Sequence, residues 1–197
     1  IAKNERVYSV RFMGNTAYFV TFRQVDPLFS VDVSDPTSPK IIGSLKIPGF
    51  SDYLFPYGEG KLLGVGRSAD RSTGAVTGMK LSLFDISNPA NVTESFKTAV
   101  GNTYSEALTN HKATLADAEK NLIAFPYNDE KGTKYLIYSL ESTGFSLKAE
   151  IPLGGAGSTW GTCRGLYIGK LFYAVSDKEI AVIDMQTFQK TAELKIK

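Results

Sequence analysis

Cysteine and histidine are nearly missing from this chain of 197 residues, which has one of each, Cys163 and His111. A single cysteine cannot close an internal disulfide, and alone it cannot make a zinc site. A multi-histidine metal site is excluded as well, and a triad with histidine as base has to use His111. An excess of one charge is also missing. Lys and Arg number 22 against 20 Asp and Glu, a formal net charge of +2. No block of Lys and Arg interleaves with aromatics, so no nucleic-acid surface is expected. No apolar run approaches the length of a membrane span, and no signal peptide opens the sequence. The chain begins at Ile1 without a starting Met, which reads as an excised piece, so the missing signal is silent about the parent protein. The sequence has 43% hydrophobic and 21% charged residues. That balance is globular, and the length suffices to bury a core as one domain over 1–197.

The chain is organised by a phrase that returns. Pro27–Ile47 reads as strand, tight turn, strand: Val, Phe and Ile favour the pleated conformation, and Asp35-Pro36 and Ser38-Pro39 break the ladder. The phrase recurs as Leu81-Ser-Leu-Phe-Asp-Ile-Ser-Asn-Pro-Ala, and more weakly at Tyr135-Leu-Ile-Tyr-Ser-Leu and Ile180-Ala-Val-Ile-Asp-Met. Asp32, Asp85, Ser139 and Asp184 then fall in register at intervals of 53, 54 and 45 residues. Four strands per repeat at such a period is the signature of a β-propeller. One twisted four-stranded sheet cannot bury both faces alone, whereas radial stacking buries the faces of neighbours. The expected fold is therefore all-β, a propeller of four blades of four antiparallel strands. The blades run over 6–47, 52–100, 111–151 and 162–196. Within the third, Glu106–Lys120 carries enough Ala and Leu to support a helix. The repeat favours strand and turn there, with His111–Leu115 as the first strand and one helical turn near Glu106. The Gly-rich Gly154-Gly155-Ala156-Gly157 lacks the Lys-Ser/Thr of a phosphate loop and reads as a connection.

Val7-Tyr-Ser-Val-Arg-Phe-Met-Gly, Val20-Thr-Phe-Arg-Gln-Val-Asp-Pro-Leu-Phe, Ile47-Pro-Gly-Phe-Ser-Asp-Tyr-Leu and Tyr104-Ser-Glu-Ala-Leu-Thr-Asn-His-Lys-Ala resemble a family of secreted prokaryotic β-propeller proteins, largely uncharacterised and expected at the cell surface. The likeness runs along nearly the whole chain. The family's propeller region is longer than this chain, so the resemblance implies that these blades are part of a larger ring. It carries over no catalytic residue.

Two sets of polar residues stand out. Asp32, Asp85 and Asp184, with Asp35 and Asn88 close by, repeat at one position of successive blades. Short Asp and Asn side chains accept hydrogen bonds from nearby backbone donors, so these are read as turn residues. Arg6, Asp52, His111 and Arg164 lie near the starts of the innermost strands, and Glu106 sits in the main irregularity between blades. These differ from blade to blade, as a binding site is expected to do. Arg is suited to bidentate recognition of an anionic group or an acidic partner side chain. Asp26, Asp70 and Asp129 lie between second and third strands, but no stretch follows an acidic calcium loop, so no metal and no cofactor is assigned. Trp160, Tyr57, Tyr127, Phe55 and Phe125 are read as packed between blades.

The expectation is a non-catalytic extracellular or cell-surface binding module. It would take a protein or a cell-surface glycan through Arg6, Asp52, Glu106, His111 and Arg164. The alternative is a propeller enzyme acting on extracellular glycans, a lyase or hydrolase with an axial site, which for hydrolysis requires two carboxylates at glycosidase spacing. An open arc of blades would also expose an apolar face near Val10 and Phe12 and another near Ile180 and Val182. Head-to-tail self-association is expected from those faces.

Overall fold

The repeated phrase folds as sixteen strands in four antiparallel meanders. The computed structural model describes residues 5–22, 26–70, 72–102, 104–154 and 162–196. Trp160 and the Gly-rich run from Gly155 lie outside the described residues. Helical structure among the described residues is limited to three single 3-10 turns. The strands fall into two compact units, Ile1–Asn102 and Thr103–Lys197.

In the first unit, β1 (Arg6–Met13), β2 (Thr16–Phe22), β3 (Asp26–Asp32) and β4 (Lys40–Ile47) form the first blade, paired in chain order. The second blade is β5 (Phe50–Pro56), β6 (Lys61–Ala69), β7 (Val76–Asp85) and β8 (Thr93–Gly101), likewise in order. Strand pairing puts Tyr18 and Val20 of β2 and Leu28 of β3 on one face of the first blade. That face packs on Phe50, Leu54, Leu62 and Phe84 of the second. Alternate residues of a strand point to opposite faces, so this packing uses one parity only. The blades are also stitched by side chains reaching main-chain oxygens: Ser9 Oγ to Ser51 O at 2.9 Å, Arg11 Nε to Leu54 O at 2.9 Å, and Ser30 Oγ to Pro89 O.

In the second unit, β9 (Leu115–Asp117), β10 (Leu122–Asp129), β11 (Gly132–Glu141) and β12 (Gly144–Pro152) make the third blade. β13 (Arg164–Ile168), β14 (Leu171–Val175), β15 (Glu179–Asp184) and β16 (Lys190–Lys195) make the fourth. Tyr135, Ile137 and Ile151 pack on Phe172, Ala174 and Ile183 around Cys163, which is 1% exposed. Burial raises the Cys163 thiol to about 11, so it stays protonated and behaves as a core hydrophobe.

The start of the third blade departs from the sequence expectation. His111–Ala113 is a 3-10 turn, not the beginning of a strand, whereas the turn over Glu106–Leu108 falls where one was expected. The cause is local. Ser105 Oγ and Asn110 Oδ1 accept hydrogen bonds from the N–H groups of Ala107 and Lys112, each at 3.1 Å. Such capping residues draw the backbone out of a ladder. β9 consequently pairs only with Leu122–Ala124 of β10. Pro126 lies beyond that pairing, where its missing N–H costs nothing, and its carbonyl accepts from Ser105 Oγ at 2.5 Å. Pro56 is likewise the last residue of β5, an edge strand.

The repeated aspartates close turns. Asp32 Oδ1 accepts from Ser34 N, Asp35 Oδ1 from Thr37 N and Asp85 Oδ1 from Ser87 N, each at 2.9 Å. Asp184 Oδ1 accepts from Gln186 N at 2.8 Å and Thr187 N at 2.9 Å. These hydrogen bonds hold all four carboxyls below the usual range. The third blade has Ser139 at the equivalent position. There Asn121, at φ +50°, exchanges two hydrogen bonds with the main chain of Leu140.

Candidate functional site

The sequence candidates divide between the two units, and each unit is built differently. In the first unit, both inner strands carry a bulge. The register of β1 on β2 shifts between Val7 and Ser9, and that of β5 on β6 between Ser51 and Tyr53. The extra residues are Tyr8 and Asp52. A bulge leaves its extra residue out of the ladder and re-aims its side chain. Asp52 is thus the structural counterpart of Tyr8, two positions beyond Arg6. Tyr8 sits against Phe50, ring centroids 4.4 Å apart, and the Arg6 guanidinium lies 5.3 Å from the Tyr8 ring centroid. Arg6 itself is exposed.

Asp52 meets Arg67, whose Nε donates to Oδ2 at 3.2 Å. The Asp52 side chain is only 11% exposed. Burial lifts its carboxyl to about 6 and outweighs the opposing pull of Arg67. Arg67 was not among the sequence candidates. It lies at the far end of β6, and its proximity depends on the bulge at Asp52, which no spacing rule reveals. Deeper in the same unit, the buried Lys80 donates to Pro48 O at 3.0 Å and lies 3.8 Å from Glu94 Oε1.

In the second unit, Glu106 and Arg164 come together. Glu106 Oε1 accepts from Arg164 Nη1 at 2.9 Å and from Asn110 Nδ2 at 2.8 Å, while Oε2 accepts from the Cys163 N–H at 3.2 Å. Arg164 also donates to Cys163 O at 2.6 Å. The 3-10 turn over Glu106–Leu108, which the sequence expected near Glu106, presents the Glu106 carboxylate. It brings Asn110 back over the carboxylate, four residues on. His111 is exposed at the start of the next turn. Near the Arg164 end of the fourth blade, an open cleft of ≈ 510 Å³ is lined by Lys178, Glu179, Lys190, Glu193 and Lys195, with Pro152 and Gly154. Glu179 is buried and accepts from Gly154 N at 3.1 Å, and Glu193 draws in Lys190 at 2.5 Å. This cleft of lysines and glutamates was not foreseen, because its charged residues are scattered over 178–195 and converge through the pairing of β15 with β16.

The loop aspartates are ligated by their own neighbours. Asp70 Oδ1 accepts from the N–H and hydroxyl groups of Ser72 and Thr73, which hold its carboxyl well below the usual range. Asp129 accepts from Lys134 Nζ at 2.8 Å. Among the described residues no three His, Cys, Asp or Glu side chains gather as a metal site. Phe125 stacks on Tyr138 at 5.8 Å within the third blade and is fully buried. Burial pushes the Tyr138 hydroxyl up to about 12.

A family model described as Beta propeller domain matches residues 1–188. An uncharacterized protein of Archaeoglobus fulgidus is 38% identical over 193 residues, 98% of this chain. Uncharacterized protein MJ1554 of Methanocaldococcus jannaschii is 33% identical over 190 residues, 96% of this chain. The chain spans 28% of the length of each of these curated relatives. Among solved structures, apo AztD from Citrobacter koseri superposes with a TM-score of 0.59 at 14% identity, over 96% of this chain and 47% of that one. The WD40 domain of SCAP from fission yeast superposes with a TM-score of 0.55 at 11% identity, over 96% and 45%. At these identities the likeness to the two structures concerns the fold alone.

Proposed function

The chain belongs to the Beta propeller domain family, and from that premise we propose that it is a non-catalytic binding module working outside the cell or on its surface. It takes a protein or a cell-surface ligand on the strand-end rims of its blades. The observation that carries this reading is the state of the two candidate carboxylates. Glu106 has both oxygens engaged by an arginine, an asparagine and a main-chain N–H, and Asp52 faces Arg67. A general base must reach the proton it abstracts. A carboxylate committed at both oxygens, as Glu106 is, instead orients its arginine, and an oriented guanidinium is a recognition group. Arg67 and Arg164, each held by a carboxylate, are therefore the assigned binding groups, with the exposed Arg6 as a further cation in the first unit, and acidic side chains or uronic-acid sugars are the ligand chemistry they suit. The extracellular setting rests on the resemblance of the inner-strand phrases to secreted surface propellers.

The test is binding of the purified chain to immobilised polyglutamate and to a uronic-acid polysaccharide, each with a neutral counterpart. Saturable binding to an acidic probe, weakened at least about tenfold in the Arg67→Ala/Arg164→Ala double variant, is expected for the loss of two charge-assisted contacts. Equal binding by wild type and double variant would overturn the assignment.

A further inference from the structure

Arg164 is held through one nitrogen of its guanidinium. Nη1 carries two hydrogens, and both are taken: Glu106 Oε1 accepts at 2.9 Å and Cys163 O at 2.6 Å. Among the described residues no acceptor meets Nε or Nη2. The Arg164 side chain is 33% exposed, against 17% for Glu106, so a ligand can reach it.

The groups that hold Arg164 are themselves fixed. Glu106 Oε1 also accepts from Asn110 Nδ2 at 2.8 Å, and Oε2 accepts from the Cys163 N–H at 3.2 Å. The Asn110 amide is tied at its other end, where Oδ1 accepts from the Lys112 N–H at 3.1 Å. The turn over His111–Ala113 is anchored in turn by the buried Tyr135, whose hydroxyl donates to Ala113 O at 2.9 Å. Each contact restrains the next, so the guanidinium plane is set before any ligand arrives. Such preorganisation lowers the cost of binding.

We infer that Arg164 determines the specificity of the module by taking one carboxylate of the ligand bidentately on its Nε–Nη2 edge, the edge its own partners leave open. The inference rests on the binding function proposed above and names the group that carries it. In the guanidinium plane Nε–H and Nη2–H run side by side, and the two oxygens of one carboxylate accept them in parallel. Net charge does not supply this selectivity. Glu106 sits on Arg164 at 2.9 Å, so the pair offers an approaching anion little net charge, and the remaining attraction is directional. A lysine at this position would be a point charge without a fork. Arg67 is placed differently. Its Nε already donates to Asp52 Oδ2 at 3.2 Å, so the corresponding edge is spent. A glutamate side chain and a uronic acid present the same carboxylate.

The test compares wild type, Arg164→Ala and Arg164→Lys for affinity to polyglutamate and to a uronic-acid polysaccharide, run as separate arms. Arg164→Lys is expected to lose as much as Arg164→Ala, each at least about fivefold. The arm that responds identifies the source of the carboxylate. Circular dichroism checks that both variants remain folded. A second measurement needs no variant: proton–nitrogen correlation spectra of the wild type titrated with acetate. The Nε–H signal of Arg164 is expected to move saturably, while that of Arg67, held by Asp52, stays. Wild-type affinity in Arg164→Lys alongside a loss in Arg164→Ala overturns the inference and leaves the binding function standing. An Arg164 Nε–H signal indifferent to acetate overturns it as well. Wild-type affinity in the Arg67→Ala/Arg164→Ala double variant overturns the binding function itself, and the inference with it.

Discussion

Burial sets the charge state of Asp52, and the consequence can be measured. Its carboxyl is raised from 3.8 to about 6, so the neutral form is the one the fold favours. The associated stability is fully present below the unfolded value and is lost as pH climbs through about 6. A shift of two units corresponds to at most about 3 kcal/mol. Asp52→Asn is therefore expected to flatten the fall in stability between pH 4 and 6. At pH 7.5 it is expected to melt no lower than wild type, while acidic-probe binding weakens because Arg67 loses its orienting partner. Thermal unfolding across that range checks this, and a lower melting temperature for Asp52→Asn at pH 7.5 would falsify it. Substitution of Glu106 is expected to destabilise the fold. Glu106→Ala removes the acceptor that the Asn110 amide and the Cys163 N–H share with the Arg164 guanidinium, which keeps only Cys163 O of its two acceptors. A loss of about 1–3 kcal/mol in urea unfolding is expected, the cost of unpaired, partly buried donors. At this scale the sequence was half legible. Arg164 and Glu106 stand out as non-repeating charges, but Arg67 does not, because a one-residue bulge decides what Asp52 meets.

Elements in this chain are limited by how closely strands approach. A Cβ on Gly66 would lie 1.9 Å from Phe50 O, inside the β5–β6 pair. Gly66→Ala must force those strands apart and is expected to cost more than about 3 kcal/mol, from backbone displacement in the core. Gly14, at φ +59° with nothing within 4 Å, offers the contrast. Gly14→Ala meets only the left-handed backbone penalty of about 1–2 kcal/mol. Paired denaturation curves of the two variants check the difference. Removing a turn carboxylate by Asp85→Ala is expected to lower the melting temperature and leave ligand binding unchanged, because Asp85 Oδ1 accepts from the N–H and hydroxyl of Ser87 and not from Arg67 or Arg164. Strands and turns were readable because alternation and Asp-Pro or Asn-Pro punctuation survive in single sequences. The start of the third blade was not. The helical turn at Glu106 was expected, but Asn110 caps a second one at His111, and an Ala- and Leu-rich stretch gives no period by which to choose between turn and strand there.

For the molecule as a whole, the four-blade repeat was legible from spacing alone, since a propeller writes its period into the chain. The proposed binding residues were not, because they are departures from the repeat, and departures carry no period. The same logic separates the two classes of acidic residue: Asp32, Asp85 and Asp184 recur and close turns, whereas Asp52 and Glu106 do not recur and hold arginines. No helix among the described residues is long and apolar enough to cross a membrane. Recognition of a ligand by these charged rims, without its transformation, is the central proposal. Its most direct test incubates the purified chain with a uronic-acid polysaccharide and with polyglutamate, following binding by interferometry and the integrity of each probe by mass spectrometry. The account predicts saturable binding to an acidic probe that the Arg67→Ala/Arg164→Ala double variant weakens, with every probe recovered intact. Cleavage of a probe by wild type, abolished by Asp52→Ala or Glu106→Gln, would contradict it.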